Sequence, residues 1–125
     1  MLCLAAGAVS AVLAASSFTL AWTHSIEKVR WEEDWHVAGH ALVIDEARIR
    51  GAGAGMEPPA GSVLRDGVWH YRPPLPPQAM LRLTHSPYTT GYEICIEGRC
   101  APLADRLPGM AGTAVIEISP CQVPR

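Results

Sequence analysis

Polar and apolar residues alternate along most of this chain with the period of a β-strand. Residues 18–24 read FTLAWTH, which places Phe18, Leu20 and Trp22 on one face. Residues 28–37 carry Val29, Trp31, Glu33, Trp35 and Val37 on one side, and Arg30, Glu32, Asp34 and His36 on the other. HALVIDEARIR, residues 40–50, resumes the alternation after Ala38-Gly39, so the two runs predict a hairpin. Further strands are expected at 68–72, behind an Asp66-Gly67 turn, and at 80–85, 91–96 and 114–119. Leu2–Ala6 reads as a first strand, and residues 7–17 as a connection or a second strand. GAGAGMEPPAG (51–61) and PPLPP (73–77) interrupt the pattern, and the one helical piece expected is a short turn near 103–107. About eight short strands at roughly ten-residue spacing predict one all-β domain over residues 1–125, an antiparallel β-sandwich or small barrel.

Composition narrows this picture. A chain of 125 residues, 49% hydrophobic and 18% charged, has enough apolar surface for one core and not for two. The net charge is -2 and no basic stripe interleaved with aromatics occurs, which argues against a nucleic-acid partner. Four cysteines allow three pairings. Cys95–Cys100 and Cys3–Cys121 are the favoured disulfides: CIEGRC resembles two strand ends around a Glu-Gly turn, and the other two lie near the chain ends. Zinc ranks second, because it prefers closer cysteine pairs or nearby histidines. Disulfides imply an oxidising compartment, hence a periplasmic or otherwise extracytoplasmic, envelope-associated protein. No export signal is evident: LCLAAGAVSAVLAASS is apolar but lacks a basic start, and cleavage near 14–17 would discard Cys3.

Candidate chemistry centres on a repeated Thr-His-Ser. Residues 22–33 read WTHSIEKVRWEE and residues 83–94 read LTHSPYTTGYEI. In each copy an aromatic residue (Trp31, Tyr92) lies seven positions after the histidine, and a glutamate (Glu32, Glu93) follows it. Neighbouring strand residues point to opposite faces, so neither copy forms a His-Ser dyad by itself; His24 with Ser86, or His85 with Ser25, would have to meet across the fold. His24, His85, Glu27, Glu32 and His36 also have the ligand types for a divalent metal, without a recognised spacing. As a binding site, His24, Ser25, Glu27 and Glu32, with His85 and Ser86, would stand beside a glycine loop (Gly51, Gly53, Gly55, then Met56) whose amides suit a small carboxylate or polar ligand. Nothing calls for a cofactor: Pro58-Pro59 stands where a nucleotide loop would start its helix. The bland readings are a structural turn for Thr-His-Ser, core and rim positions for Trp22, Trp31, Trp35 and Trp69, and a solvated strand face for Glu32, Glu33 and Asp34. The first copy, which has Glu27, is expected to be the functional one and the second architectural.

The blocks WTHSIEKVRWEEDW, RIRGAGAGMEPP, DGVWHY, THSPYTTGYEICIEGRC and the late SPC resemble family number eighteen-fifty of the domain-of-unknown-function series. The resemblance runs from Leu2 to Cys121. It implies a small, exported, mostly β accessory protein found beside TAXI-type TRAP transporters, with the TRAP membrane subunit or the TAXI solute-binding protein as partner. The resulting expectation is a non-enzymatic extracytoplasmic accessory that binds a transporter component or a small ligand. The alternative is a metal-dependent or Ser/His hydrolase built on His24, Ser25, Glu27, Glu32 and His85.

Overall fold

The computed structural model describes residues 1–23, 29–50 and 59–122, and it is all-β. In chain order the strands are β1 (Leu2–Ala6), β2 (Val9–Leu13), β3 (Ser17–Thr23), β4 (Arg30–Ala38), β5 (Ala41–Arg50) and β6 (Val63–Arg65). They continue with β7 (Val68–Tyr71), β8 (Leu81–His85), β9 (Glu93–Ile96), β10 (Arg99–Pro102) and β11 (Ala114–Pro120). A 3₁₀ turn, Leu103–Arg106, is where the helical piece was expected. The strands form two antiparallel sheets, in the orders β2-β1-β11-β8 and β10-β9-β3-β4-β5-β7-β6, giving a β-sandwich and not a closed barrel. Eleven strands exceed the expected eight because β6 and β10 are only three and four residues long, too short for a periodic signal, and residues 7–17 supply β2.

Tight turns set the hairpins. Asp66 (φ 51°) with Gly67 (φ 77°) joins β6 to β7, and Glu97 (φ 52°) with Gly98 (φ 78°) joins β9 to β10, each a pair of left-handed residues as a two-residue hairpin requires. The second turn faces Cys95 with Cys100 directly across the ladder, where they form a disulfide. The other disulfide, Cys3–Cys121, joins β1 to the residue following β11. Between the sheets lie Leu2 and Leu4 of β1, Ile116 and Ile118 of β11, and Phe18, Leu20, Trp35, Leu42, Ile44 and Ile94 of the larger sheet, none more than 4% exposed.

One irregularity shapes the outer surface. Asp34 pairs with Glu46 but Trp35 pairs with Ile44, so Asp45 is an extra residue in β5. Before this bulge Leu42 and Ile44 point inward; after it Ala47 and Ile49 do. The shift by one turns two successive carboxylates, Asp45 and Glu46, toward the outer face, where they meet His36 and His70. No helix among the described residues is long and apolar enough to cross a membrane.

Candidate functional site

Strand β3 lies between β9 and β4, and the repeated motif explains what flanks it. Ala21 pairs with Glu32 on one side and with Glu93 on the other. On the outer face both glutamates hold Arg30, which donates from Nε to Glu32 at 3.0 Å and from a terminal nitrogen to Glu93 at 2.6 Å. On the inner face the two preceding aromatics both contact Trp22. Trp31 stacks on it with ring centroids 6.2 Å apart and planes at 18°, and Tyr92 is tilted against it at 5.7 Å. The matched spacing thus delivers equivalent residues, Trp31-Glu32 and Tyr92-Glu93, to the two sides of one strand.

The outer face carries an ion lattice. Glu32, expected to be solvated, is only 7% exposed. It accepts hydrogen bonds from the Nε atoms of Arg30, Arg48 and Arg50 at 2.9–3.1 Å. Burial pushes this carboxyl up, but the three arginines together outweigh burial and hold it below its ordinary range. Arg48 also grips Asp34 with both terminal nitrogens, at 2.6 and 2.8 Å, and reaches Glu46 at 3.2 Å. Arg48 and, against some burial, the Thr19 hydroxyl lower Asp34; His70, chiefly, lowers Glu46. These residues are held too firmly by one another to serve as open ligand groups.

A groove lies where the end of β3 meets the end of β8 and the turn that follows it. Trp22 and Tyr92 form one part of its wall, and the hydroxyl-bearing Thr23, Thr84, Ser86, Thr89 and Thr90 form the rest, around a volume of about 320 Å³. A second hollow of about 290 Å³ adjoins it through Trp22, Thr23, Thr90 and Tyr92, and adds His85, Gly91 and Glu93. His85 alternates with Leu81 and Leu83 and so faces inward from β8. Gly91 leaves room for its ring, since a Cβ there would stand 3.4 Å from both Nδ1 and Cε1 of His85. The Ser86 hydroxyl oxygen accepts a hydrogen bond from the Tyr88 amide at 3.2 Å, closing the turn that makes the rim.

Deeper along the same face, Glu33 pairs with Leu20 and Ala47 and accepts a 3.3 Å hydrogen bond from Trp35 Nε1. Burial raises its carboxyl above the ordinary range, only partly offset by that bond. Burial likewise raises the phenols of Tyr71 and Tyr92, and the Glu33 charge adds to it. Among the described residues no group of three or more His, Cys, Asp and Glu is placed to hold a metal.

A comparison with family models matches residues 18–103, from β3 to the start of the 3₁₀ turn, to the Domain of unknown function (DUF1850). The chain belongs to this family. No curated protein and no solved structure matches it. The match takes in all of the seven-stranded sheet but Ser17, together with β8, hence every described residue of the groove and its adjoining hollow except Ala104.

In this DUF1850 protein the sequence candidates are placed as follows. Glu32 lies on the outer face, away from the groove, while His85 and Ser86 line it. His24, Ser25, Glu27, Gly53, Gly55 and Met56 fall outside the described residues. Thr84, His85 and Ser86 of the second Thr-His-Ser copy line the groove or its adjoining hollow, as does Thr23 of the first copy, whose His24 and Ser25 are among the residues not described. Sequence reasoning missed Thr84, Thr89, Thr90 and Tyr92. The available signal was TTGY, two hydroxyl residues ahead of a glycine and an aromatic, directly after the repeat.

Proposed function

We propose that this protein is a non-catalytic extracytoplasmic module that works beside a TAXI-type TRAP transporter and holds a ligand or a transporter segment in the groove at the open end of its sandwich. The observation that supports this reading best is the meeting of the two repeats: Thr23 with Thr84, His85 and Ser86, around Trp22 and Tyr92. A concave wall mixing aromatic surface with a few directed polar groups is the usual make-up of a binding site. Catalysis has less support among the described residues: His85 packs on Gly91, and no hydrogen bond joins it to a serine or carboxylate. The two disulfides favour an oxidising compartment, and the TRAP association rests on the family resemblance.

The test is a deletion of the gene in a host carrying the adjacent transporter, with substrate uptake measured in whole cells. Uptake is expected to fall, to return with the wild-type gene, and to return only weakly with Trp22→Ala. Undiminished uptake in the deletion strain overturns the accessory role, and recovery of the chain from the cytosol with four free thiols overturns the location.

A further inference from the structure

The chemistry of the wall selects among ligands. Five hydroxyl side chains and two aromatic rings line the larger groove, with no charged side chain among its described residues. Hydroxyls both donate and accept, so they match a ligand whose own groups are hydroxyls. A carboxylate ligand would instead need a guanidinium, an ammonium or a nest of amides. Arg30, close in sequence to Trp31, is committed on the outer face between Glu32 and Glu93. Glu93 itself lines the adjoining hollow, 38% exposed and paired with that arginine.

Trp22 is the fixed part of the wall. Trp31 backs its ring and Tyr92 braces it, so the ring cannot turn freely and little ordering is left for a ligand to impose. A rigid indole face surrounded by hydroxyls suits a ring that presents C–H groups on one side and hydroxyls around its edge. Glu93, in the adjoining hollow, accepts from Arg30 through one oxygen and has a second that can accept from a ligand hydroxyl.

We propose that the groove binds a neutral carbohydrate, with one pyranose ring stacked on Trp22 and its hydroxyls held by Thr23, Thr84, Thr89 and Thr90. This assignment rests on the groove being the binding site proposed above, and names what occupies it.

Isothermal titration calorimetry on the full chain with both disulfides intact tests it, using maltotriose, cellotriose and tri-N-acetylchitotriose, with succinate and glutarate as anionic comparisons. Saturable binding of at least one trisaccharide is expected in the micromolar to millimolar range, as for an open site with few anchors. Thr90→Val, an exposed rim change that leaves the core intact, is expected to weaken it about tenfold, and Trp22→Ala to abolish it. Arg82→Ala, on the other sheet's outer face, is expected to leave it unchanged. Binding of the dicarboxylates with the same sensitivity to Thr90→Val overturns the carbohydrate assignment and keeps the groove as a binding site. Silence with all three sugars also overturns the assignment, while the uptake assay above reads the accessory role independently.

Discussion

Glu32 and Glu93 are in register with the same residue, Ala21, from opposite sides of β3, and both bind Arg30. Their exposures differ: the Glu32 side chain is 9% exposed and that of Glu93 is 38%. Glu32→Ala strands three arginine Nε donors around a buried gap, whereas Glu93→Ala frees one side of an arginine that still has Glu32. Urea denaturation is expected to show a loss of about 2–4 kcal/mol for the first, tempered because Arg50 reaches solvent, and below about 1 kcal/mol for the second. Equal losses would contradict the lattice as described.

Acid should loosen the outer face first. Glu32, Asp34 and Glu46 titrate below their ordinary values in the folded state. The stability they contribute is present above the unfolded carboxylate range and lost as pH falls through the lower folded values. Melting temperature is therefore expected to hold from neutrality to about pH 5 and to drop steeply below about pH 4. High salt, by contrast, should change it little, since the central pair is buried.

Glu33 has the opposite sign. Its folded value is raised by burial, so its ionisation opposes folding as pH rises above the unfolded carboxylate range. Glu33→Gln keeps an acceptor for Trp35 Nε1 and removes the charge. The variant is expected to melt higher than wild type at pH 7 and equally at pH 3, measured by circular dichroism.

The two disulfides should contribute unequally. Cys3–Cys121 closes a separation of 118 residues and Cys95–Cys100 one of 5. Loop-closure entropy then assigns about 4–5 kcal/mol to the first and about 2 kcal/mol to the second. Paired Cys→Ser variants compared by chemical denaturation check the order, and a reversal would show that local packing outweighs chain entropy here.

Trp31→Leu removes the ring behind Trp22 while keeping an apolar side chain in place. A loss of about 1–2 kcal/mol is expected from the stacked pair and its buried area. Ligand affinity at the groove should fall with it, because Trp22 then has to be ordered by the ligand.

Local features were legible before any coordinates. Asp66-Gly67 and Glu97-Gly98 announce turns by their glycines, and Ala38-Gly39 divides two alternating runs; the left-handed backbone of both Asp66 and Glu97 is seen in the structure. Alternation in FTLAWTH sorted Phe18, Leu20 and Trp22 correctly to the core side. The period also failed where the structure inserts a residue: Asp45 breaks the alternation of β5, and nothing in LVIDEAR distinguishes a bulge from a run of polar positions. Glu32 looked solvated for a related reason. Its burial is made by Arg48 and Arg50, which reach it only because β5 pairs with β4 in that register.

The sequence by itself therefore determined the strand periods, the places of the turns and the adjacent Cys95–Cys100 pair, all of which depend on residues near one another, and it favoured Cys3–Cys121 by the position of those residues near the chain ends. Tertiary structure alone decided that β3 lies between β9 and β4, that β8 closes against β11, and that the second repeat lines the groove with Thr23. These are pairings between segments far apart in the chain, selected by which apolar faces bury together and which carboxylates find arginines, and no local pattern encodes that choice.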